Sequence, residues 1–207
     1  MLSAIILAAG GSSRMGRPKA LLQWRGLPFV EHVCASLRAA GVEDRVVVLG
    51  RASTEILAAW TPAGERTIVN PRPDDGQLSS LRAGLGAAAR DCEAFLVCLA
   101  DQPTIKPETY KALITSWYSR RDSIVIPRVP RLSPGPGEPP FKRGHPIIIP
   151  AACRQLCFDG PLDKGLHWVT HHPSVKVADL DVDDREIIRD FDTLQDYESL
   201  RRAELEN

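Results

Sequence analysis

The sequence predicts an α/β fold: a mainly parallel central sheet flanked by helices, with a small antiparallel addition in the second half. Short apolar runs alternate with helix-period stretches from Ser3 to Ile126, the pattern left by parallel strands joined through crossover helices. The run Ala94 to Leu99 is apolar throughout, as expected of a strand buried on both faces. Regularity fails only after Ile126, where Pro127 to Pro140 holds six prolines and two glycines and predicts an exposed loop. A length of 207 residues suits one sizeable core better than two, so a single domain over 1–207 is expected.

Taken in order, Ser3 to Leu7 reads as the first strand. Pro28 to Ala40 follows as a helix ending at Gly41, with Phe29, Val33 and Leu37 on one face at spacing four. Arg45 to Leu49 is the second strand, and Ser53 to Trp60 a helix that Ser53 would cap. Thr67 to Val69 predicts a short strand, Ser79 to Ala89 a third helix and Ala94 to Leu99 the buried strand. Pro107 to Trp117 is helical, with proline near its first position. Ser123 to Ile126 and Pro146 to Ile149 are strands on either side of the proline-rich loop. Ala151 to Cys157 and Pro161 to Thr170 are short helices, Val175 to Leu180 a late strand and Leu194 to Glu204 the closing helix.

Hydrophobic residues at 43% and charged residues at 25% exclude disorder, collagen and coiled coil. The 26 basic and 26 acidic residues cancel, which argues against nucleic-acid or anionic-membrane binding. Cys34, Cys92, Cys98, Cys153 and Cys157 contain no CxxC pair and suit reduced thiols in a reducing compartment. Cys153 and Cys157 could share a helix face, but two thiolates make an incomplete zinc site, and a packing role is expected. Met1 to Ala9 superficially resembles a signal peptide. It lacks a basic leader, and its apolar run is at the short end of the usual ~7–15 residues. With no other apolar run near the ~20 residues of a membrane span, a cytoplasmic protein is expected.

The loop after the first strand holds the richest chemical signal. Gly10, Gly11, Ser12, Ser13 and Gly16 follow the strand directly, with Arg14 and Lys19 among them. Glycines let backbone amides approach phosphate oxygens closely, and the two cations add fixed positive charge, so a polyphosphate ligand is expected. Gly11 and Gly16 have Walker spacing, but Arg17-Pro18-Lys19 follows instead of Lys-Ser/Thr. The dinucleotide fingerprint GxGxxG is absent.

Asp101 stands just past the buried strand, where α/β sheets place their ligands, and could hold Mg2+ against the same phosphates or simply cap the turn beside Pro103. In Asp190-Phe191-Asp192-Thr193, alternation along a short strand would put both aspartates on one side. Either could complete the metal site, or Asp192 or Thr193 could cap the closing helix. Asp179, Asp181, Asp183 and Asp184 lack the glycine and glutamate of a calcium loop and read as a solvated acidic turn. Arg128, Arg131, Lys142 and Arg143 flank the proline-rich loop and could receive an anionic phosphate or stay solvated.

Leu7 to Lys19 closely resembles the LAAGxSxRMGxPK signature of nucleotidyltransferases similar to the molybdenum cofactor cytidylyltransferase. Agreement continues at Asn70, Gly76-Gln77-Leu78-Ser79-Ser80-Leu81, Ala100-Asp101-Gln102-Pro103, Arg143-Gly144-His145-Pro146 and Asp190-Phe191-Asp192-Thr193, so the resemblance spans nearly the whole chain. It implies a Rossmann-like nucleotidyltransferase fold with a nucleotide-binding half at about 1–105 and an acceptor-binding half at about 106–207. By the same resemblance Leu7, Ala8, Ala9, Gly10, Gly11, Ser12 and Ser13 would line the nucleotide. Arg14 and Lys19 would grip its triphosphate, and Asn70, Ser79 and Ser80 would lie near base or ribose. Asp101 would bind Mg2+, with Asp190 or Asp192 as second ligand, and Gln102, Pro103, Arg143, Gly144 and His145 would contact the acceptor. Arg17-Pro18-Lys19 looks like the cytidylyl branch and implies CTP as donor, molybdopterin as acceptor and a molybdenum hydroxylase as candidate recipient of the product. After the Gly-His-Pro segment the family often carries Gly-Asp-Lys/Arg-Gly-Ala-Arg, of which Gly160 to Leu166 keeps only part.

The implied reaction is attack of an acceptor phosphate on the α-phosphorus of a nucleoside triphosphate. A phosphate nucleophile is already ionised, which matches the absence of a recognisable Ser-His-Asp or Cys-His set. Catalysis would rest on aligning two anions and neutralising developing charge, with Arg14, Lys19 and Asp101 as the catalytic residues. Two alternatives accompany this: the same chemistry with a sugar phosphate or with GTP, and a nucleotide-binding regulator or chaperone without turnover.

Overall fold

A computed structural model describes residues 1–11 and 15–205. Its main sheet has eight strands: β1 (Leu2–Ala8), β4 (Asp44–Leu49), β5 (Arg66–Val69), β6 (Ala94–Leu99), β7 (Ser123–Pro130), β8 (Phe141–Arg143), β9 (Ile147–Pro150) and β10 (Lys176–Asp181). Their order is β10-β7-β9-β6-β1-β4-β5, with β8 pairing to β7. β6, β1, β4 and β5 are mutually parallel, whereas β9 runs antiparallel to both β6 and β7. Within Met1 to Ala9, the stretch that superficially resembles a signal peptide, Leu2–Ala8 is an interior strand of this sheet, paired on both sides. A separate two-stranded hairpin joins β2 (Gln23–Trp24) to β3 (Leu27–Pro28).

The core follows from strand alternation. Ala4 and Ile6 of β1 face a layer built by α1 (Phe29–Ala39) and α4 (Pro107–Tyr118), packing with Val33, Leu37, Tyr110 and Trp117. Ile5 and Leu7 face the opposite layer, where α3 (Gln77–Ala87) contributes Leu78, Leu81 and Leu85. Period two in the strand thus meets period 3.6 in the helices on both sides. Gly84 is required by closeness, since a Cβ there would lie 2.3 Å from Ile5 Cγ2 and 3.0 Å from Val48 Cγ2. The shorter helices α2 (Ser53–Ala59), α5 (Arg154–Asp159) and α6 (Gly165–Thr170) and the closing helix α7 (Leu194–Leu205) are the remaining α-helices among the described residues.

Several expectations need correction. Ser53 does not cap α2; Ala52 holds that position and no side chain bonds there. The strand expected to stop at Ile126 continues through Pro127 to Pro130, because β8 pairs along its far end and Arg131 N bonds Pro140 O. The Asp179–Asp184 region is not simply a solvated turn. Asp179 pairs with Arg128 and Arg143, while buried Asp184 accepts from Thr109 Oγ1, Lys106 N and Glu186 N. Residues 189–193 form no strand. All five cysteines are free, and among the described residues no helix is long and apolar enough to cross a membrane.

Candidate active site

A cleft of about 760 Å³ opens along the carboxyl edge of the sheet, between the loops that follow β6, β1, β4 and β5. Leu7, Ala8, Ala9, Gly10, Gly11 and Gly16 form its floor, Lys19 and Asp101 stand at one end, and Gly76, Gln77 and Ser80 form part of a wall. The N-terminus of α3 therefore faces the cleft, where its free amides favour an anion. Ser12, Ser13 and Arg14 lie outside the described residues.

Lys19 begins a short 3-10 turn, Lys19–Leu21, which Arg17 braces by donating from Nη2 to Leu21 O at 2.9 Å. The Lys19 ammonium donates to Asp101 Oδ2 at 3.0 Å and to Asp192 Oδ1 at 2.5 Å. Burial works to lower its pKa, but the bond to Asp192 and the charge of Asp101 hold it above the ordinary lysine value. Asp190 joins the same group. Burial, with the charges of Asp101 and Asp192, raises its carboxyl above the usual range, although Gln102 Nε2 donates to it at 3.3 Å.

Phe191 sets this arrangement. Its ring is fully buried against Phe29 at 5.4 Å between centroids, in a small cluster with Met15, Leu22 and Leu200. With Phe191 anchored inward, its two aspartate neighbours are left to face Asp101, so inward-outward alternation operates here without a strand.

The donor set suits a hard divalent cation. Carboxylate oxygens are its preferred ligands, and three carboxylates stand here: the Lys19 ammonium meets those of Asp101 and Asp192, while Asp190 takes its bond from Gln102. Among the described residues no three His, Cys, Asp or Glu side chains form a ready cage. A cation held by one or two of these carboxylates would take its remaining ligands from substrate phosphates and water.

Other expected site residues are placed differently. Asn70 and Ser79 do not line the cleft; Asn70 Nδ2 donates to Ser79 Oγ and Ser80 Oγ at 2.9 and 3.1 Å, and Ser79 Oγ donates to Arg72 O. They brace the loop that carries Gly76 and Gln77. Gln102 and Pro103 are buried, and Gln102 donates to Ile187 O, Arg189 O and Asp190, so Gln102 holds the carboxylate segment. Arg143 donates to Asp179 at 2.7 and 3.1 Å. Gly144 N bonds Pro127 O, and His145 N bonds Ile187 O at 3.0 Å. His145 Nε2 is buried without a hydrogen-bond partner, and burial depresses the imidazole to about 4 against the opposing charge of Asp101. The ring is neutral, so it offers no charge to an acceptor.

Arg51, Glu55 and Asp74 also line the cleft and were not singled out from the sequence. The signal available was position, because Arg51 and Asp74 lie in the loops after β4 and β5, just as Asp101 follows β6.

Comparison with known proteins agrees with this geometry. The profile of the MobA-like NTP transferase domain matches residues 4–175. The chain is 35% identical over 160 residues to the nicotine blue oxidoreductase of Paenarthrobacter nicotinovorans, an alignment covering 74% of this chain and 72% of that protein. It is 39% identical over 103 residues to the molybdenum cofactor guanylyltransferase of Xanthomonas euvesicatoria pv. vesicatoria, covering 50% of this chain and 48% of that one. Among solved structures, Rv0371c of Mycobacterium tuberculosis H37Rv superposes with a TM-score of 0.81 at 27% identity over 96% of both chains. A second structure of that protein, in complex with manganese, gives 0.78 at 26% identity over 98% of both. The chain belongs to the MobA-like NTP transferase family of nucleotidyltransferases.

Proposed function

We propose that this protein transfers a nucleoside monophosphate from a nucleoside triphosphate to the terminal phosphate of a molybdopterin-type acceptor, releasing pyrophosphate. The observation that carries this reading is the convergence of Lys19, Asp101, Asp190 and Asp192 at one end of a glycine-floored cleft. An acceptor phosphate oxygen attacks the α-phosphorus, a new phosphorus–oxygen bond forms, and the bond to the bridging oxygen of the leaving pyrophosphate breaks. Lys19 neutralises phosphate charge, the amides of Gly10 and Gly11 orient the triphosphate, and Asp101 with Asp190 or Asp192 would hold a divalent cation. That cation supplies charge neutralisation on the phosphate oxygens. The manganese complex of the M. tuberculosis relative supports a divalent metal, for which Mg2+ is the proposed physiological choice. The free thiols suit a reducing, cytoplasmic setting.

The guanylyltransferase relative supports GTP as donor, ahead of the CTP suggested by Arg17-Pro18-Lys19. The oxidoreductase relative favours a second reading, redox chemistry in the same cleft, since one fold can host several chemistries. Pyrophosphate release, measured with each nucleoside triphosphate and Mg2+ or Mn2+, with and without molybdopterin, separates these readings. Release that requires the acceptor is expected; no release under any combination would overturn the transferase reading. Asp101→Asn is expected to abolish metal-dependent turnover in a folded chain, and retained activity would remove Asp101 from the metal site.

A further inference from the structure

Arg51 and Asp74, on the adjacent loops after β4 and β5, line the cleft as an ion pair, with Arg51 Nε on Asp74 Oδ1 at 3.3 Å and Arg51 Nη2 on Asp74 Oδ2. Both side chains are well exposed, at 75% and 69%, so the pair has little value as a structural brace. Its location is informative. The sheet order β6-β1-β4-β5 arranges the loops bearing Asp101, Gly10, Arg51 and Asp74 in that sequence along one edge. Neighbouring strands are spaced about 4.8 Å apart, so the β5 loop lies roughly 14 Å from the β6 loop. That separation is comparable to the length of an extended nucleoside triphosphate. With the phosphates at Lys19 and Asp101, the base reaches the loops after β4 and β5. Close packing keeps the first of these in place, since a Cβ on Gly50 would lie 2.6 Å from Ala9 O.

The chemistry of the pair narrows which base. A carboxylate that accepts two parallel N–H bonds from a guanidinium is matched by few other groups. Guanine presents such a fork, because its N1–H and N2 amino group are part of a guanidine-like unit. Cytosine sets a ring acceptor beside its amino group, so a carboxylate meets one donor and one repelling lone pair. Hypoxanthine keeps N1–H and lacks the amino group. We propose that Asp74 reads the two-donor edge of guanine, and that Arg51 occupies Asp74 as an internal stand-in which the incoming base displaces. This inference rests on the nucleotidyl-transfer reading and deepens it by selecting the donor. A pterin ring carries the same two-donor edge; the position of Asp74 at the end opposite Asp101 favours the donor base over the acceptor.

Calorimetric titration of the full chain with GTP, ITP and CTP in the presence of Mn2+, and separately with pterin, tests the assignment. The wild type is expected to bind GTP about tenfold more tightly than ITP or CTP, the order of one good base contact. Asp74→Ala should remove that preference by weakening GTP about tenfold and ITP by far less. Arg51→Ala should act in the opposite direction, tightening GTP about two- to fivefold by removing a surface-pair competitor. A purely structural ion pair would shift both variants the same way, and that result overturns the proposal. Equal affinities for GTP, ITP and CTP in the wild type overturn base reading while leaving nucleotidyl transfer intact. Loss of pterin binding in Asp74→Ala with GTP unaffected assigns Asp74 to the acceptor and overturns the guanine assignment. Failure of every nucleotide to bind overturns the transferase reading along with this one.

Discussion

Replacing Gly144 with alanine tests how the carboxylate end of the cleft is assembled. Gly144 lies between β8 and β9, and its need for glycine is steric: a Cβ there would sit 2.0 Å from Ile187 O and 2.6 Å from its carbonyl carbon. Relief requires the two backbones to separate, which breaks the 3.0 Å bond from His145 N to the same Ile187 oxygen. Overpacking costs about 1–3 kcal/mol and the lost hydrogen bond about 1 kcal/mol, together about 2–4 kcal/mol. At about 2–4 °C per kcal/mol for a chain of this length, Tm should fall by about 4–16 °C. The displaced segment continues into Asp190 and Asp192, so manganese affinity should fall as well. Thermal unfolding and manganese titration on the same preparation measure both effects. A fall of less than about 2 °C with unchanged manganese affinity would refute the close-approach argument.

Two further outcomes follow from groups outside the cleft. Glu65 has a fully buried side chain that accepts from Arg45 Nε and Arg38 Nη1 at 2.8 Å each and from Ala63 N at 2.7 Å. Glu65→Gln should destabilise toward the lower end of the roughly 3–5 kcal/mol seen when a buried pair is broken, because Arg38 is partly exposed. Burial alone would raise the Glu65 carboxyl, yet the bonds from Arg45 and Arg38 hold it below the ordinary glutamate value of 4.5. Its stabilisation is therefore present above pH 4.5 and lost as pH falls below it, so urea unfolding of Glu65→Gln should show a shallower acid dependence; an unaltered slope counts against the assignment. Burial raises the thiols of Cys34 and Cys98 and pushes Cys157 up to about 12. Iodoacetamide at pH 8 should leave these three unmodified in the folded chain and react fully after denaturation, as peptide mass spectrometry would show, and rapid native labelling of Cys98 would contradict its burial.

The alternation of strands and helices was legible because it is local. Ala94–Leu99 coincides with its expected strand, and Pro107 starts α4 as its position suggested. The β2–β3 hairpin and β8 were not legible, since two or three residues per strand leave no periodic pattern. The glycine loop and Asp101 could be singled out because both immediately follow strands that the sequence marks clearly. Arg51 and Asp74 follow strands equally well, but single charged residues on loops are common and only the cleft distinguishes them. The partner of Arg143 was equally hidden: Asp179, brought alongside by β10, accepts from its guanidinium.

The sequence by itself determined the α/β class, the first strand, the core face of α1 and the glycine-rich loop at the end of that strand, since each depends on residues within one or two turns of chain. Only the tertiary structure decided that Lys19 meets both Asp101 and Asp192, partners 82 and 173 positions away. It also decided that Gln102 faces inward to hold Asp190 and that Arg51 pairs with Asp74 on the neighbouring loop. Charged side chains choose partners by proximity after strand order and loop packing are set, and that proximity is a property of the folded sheet.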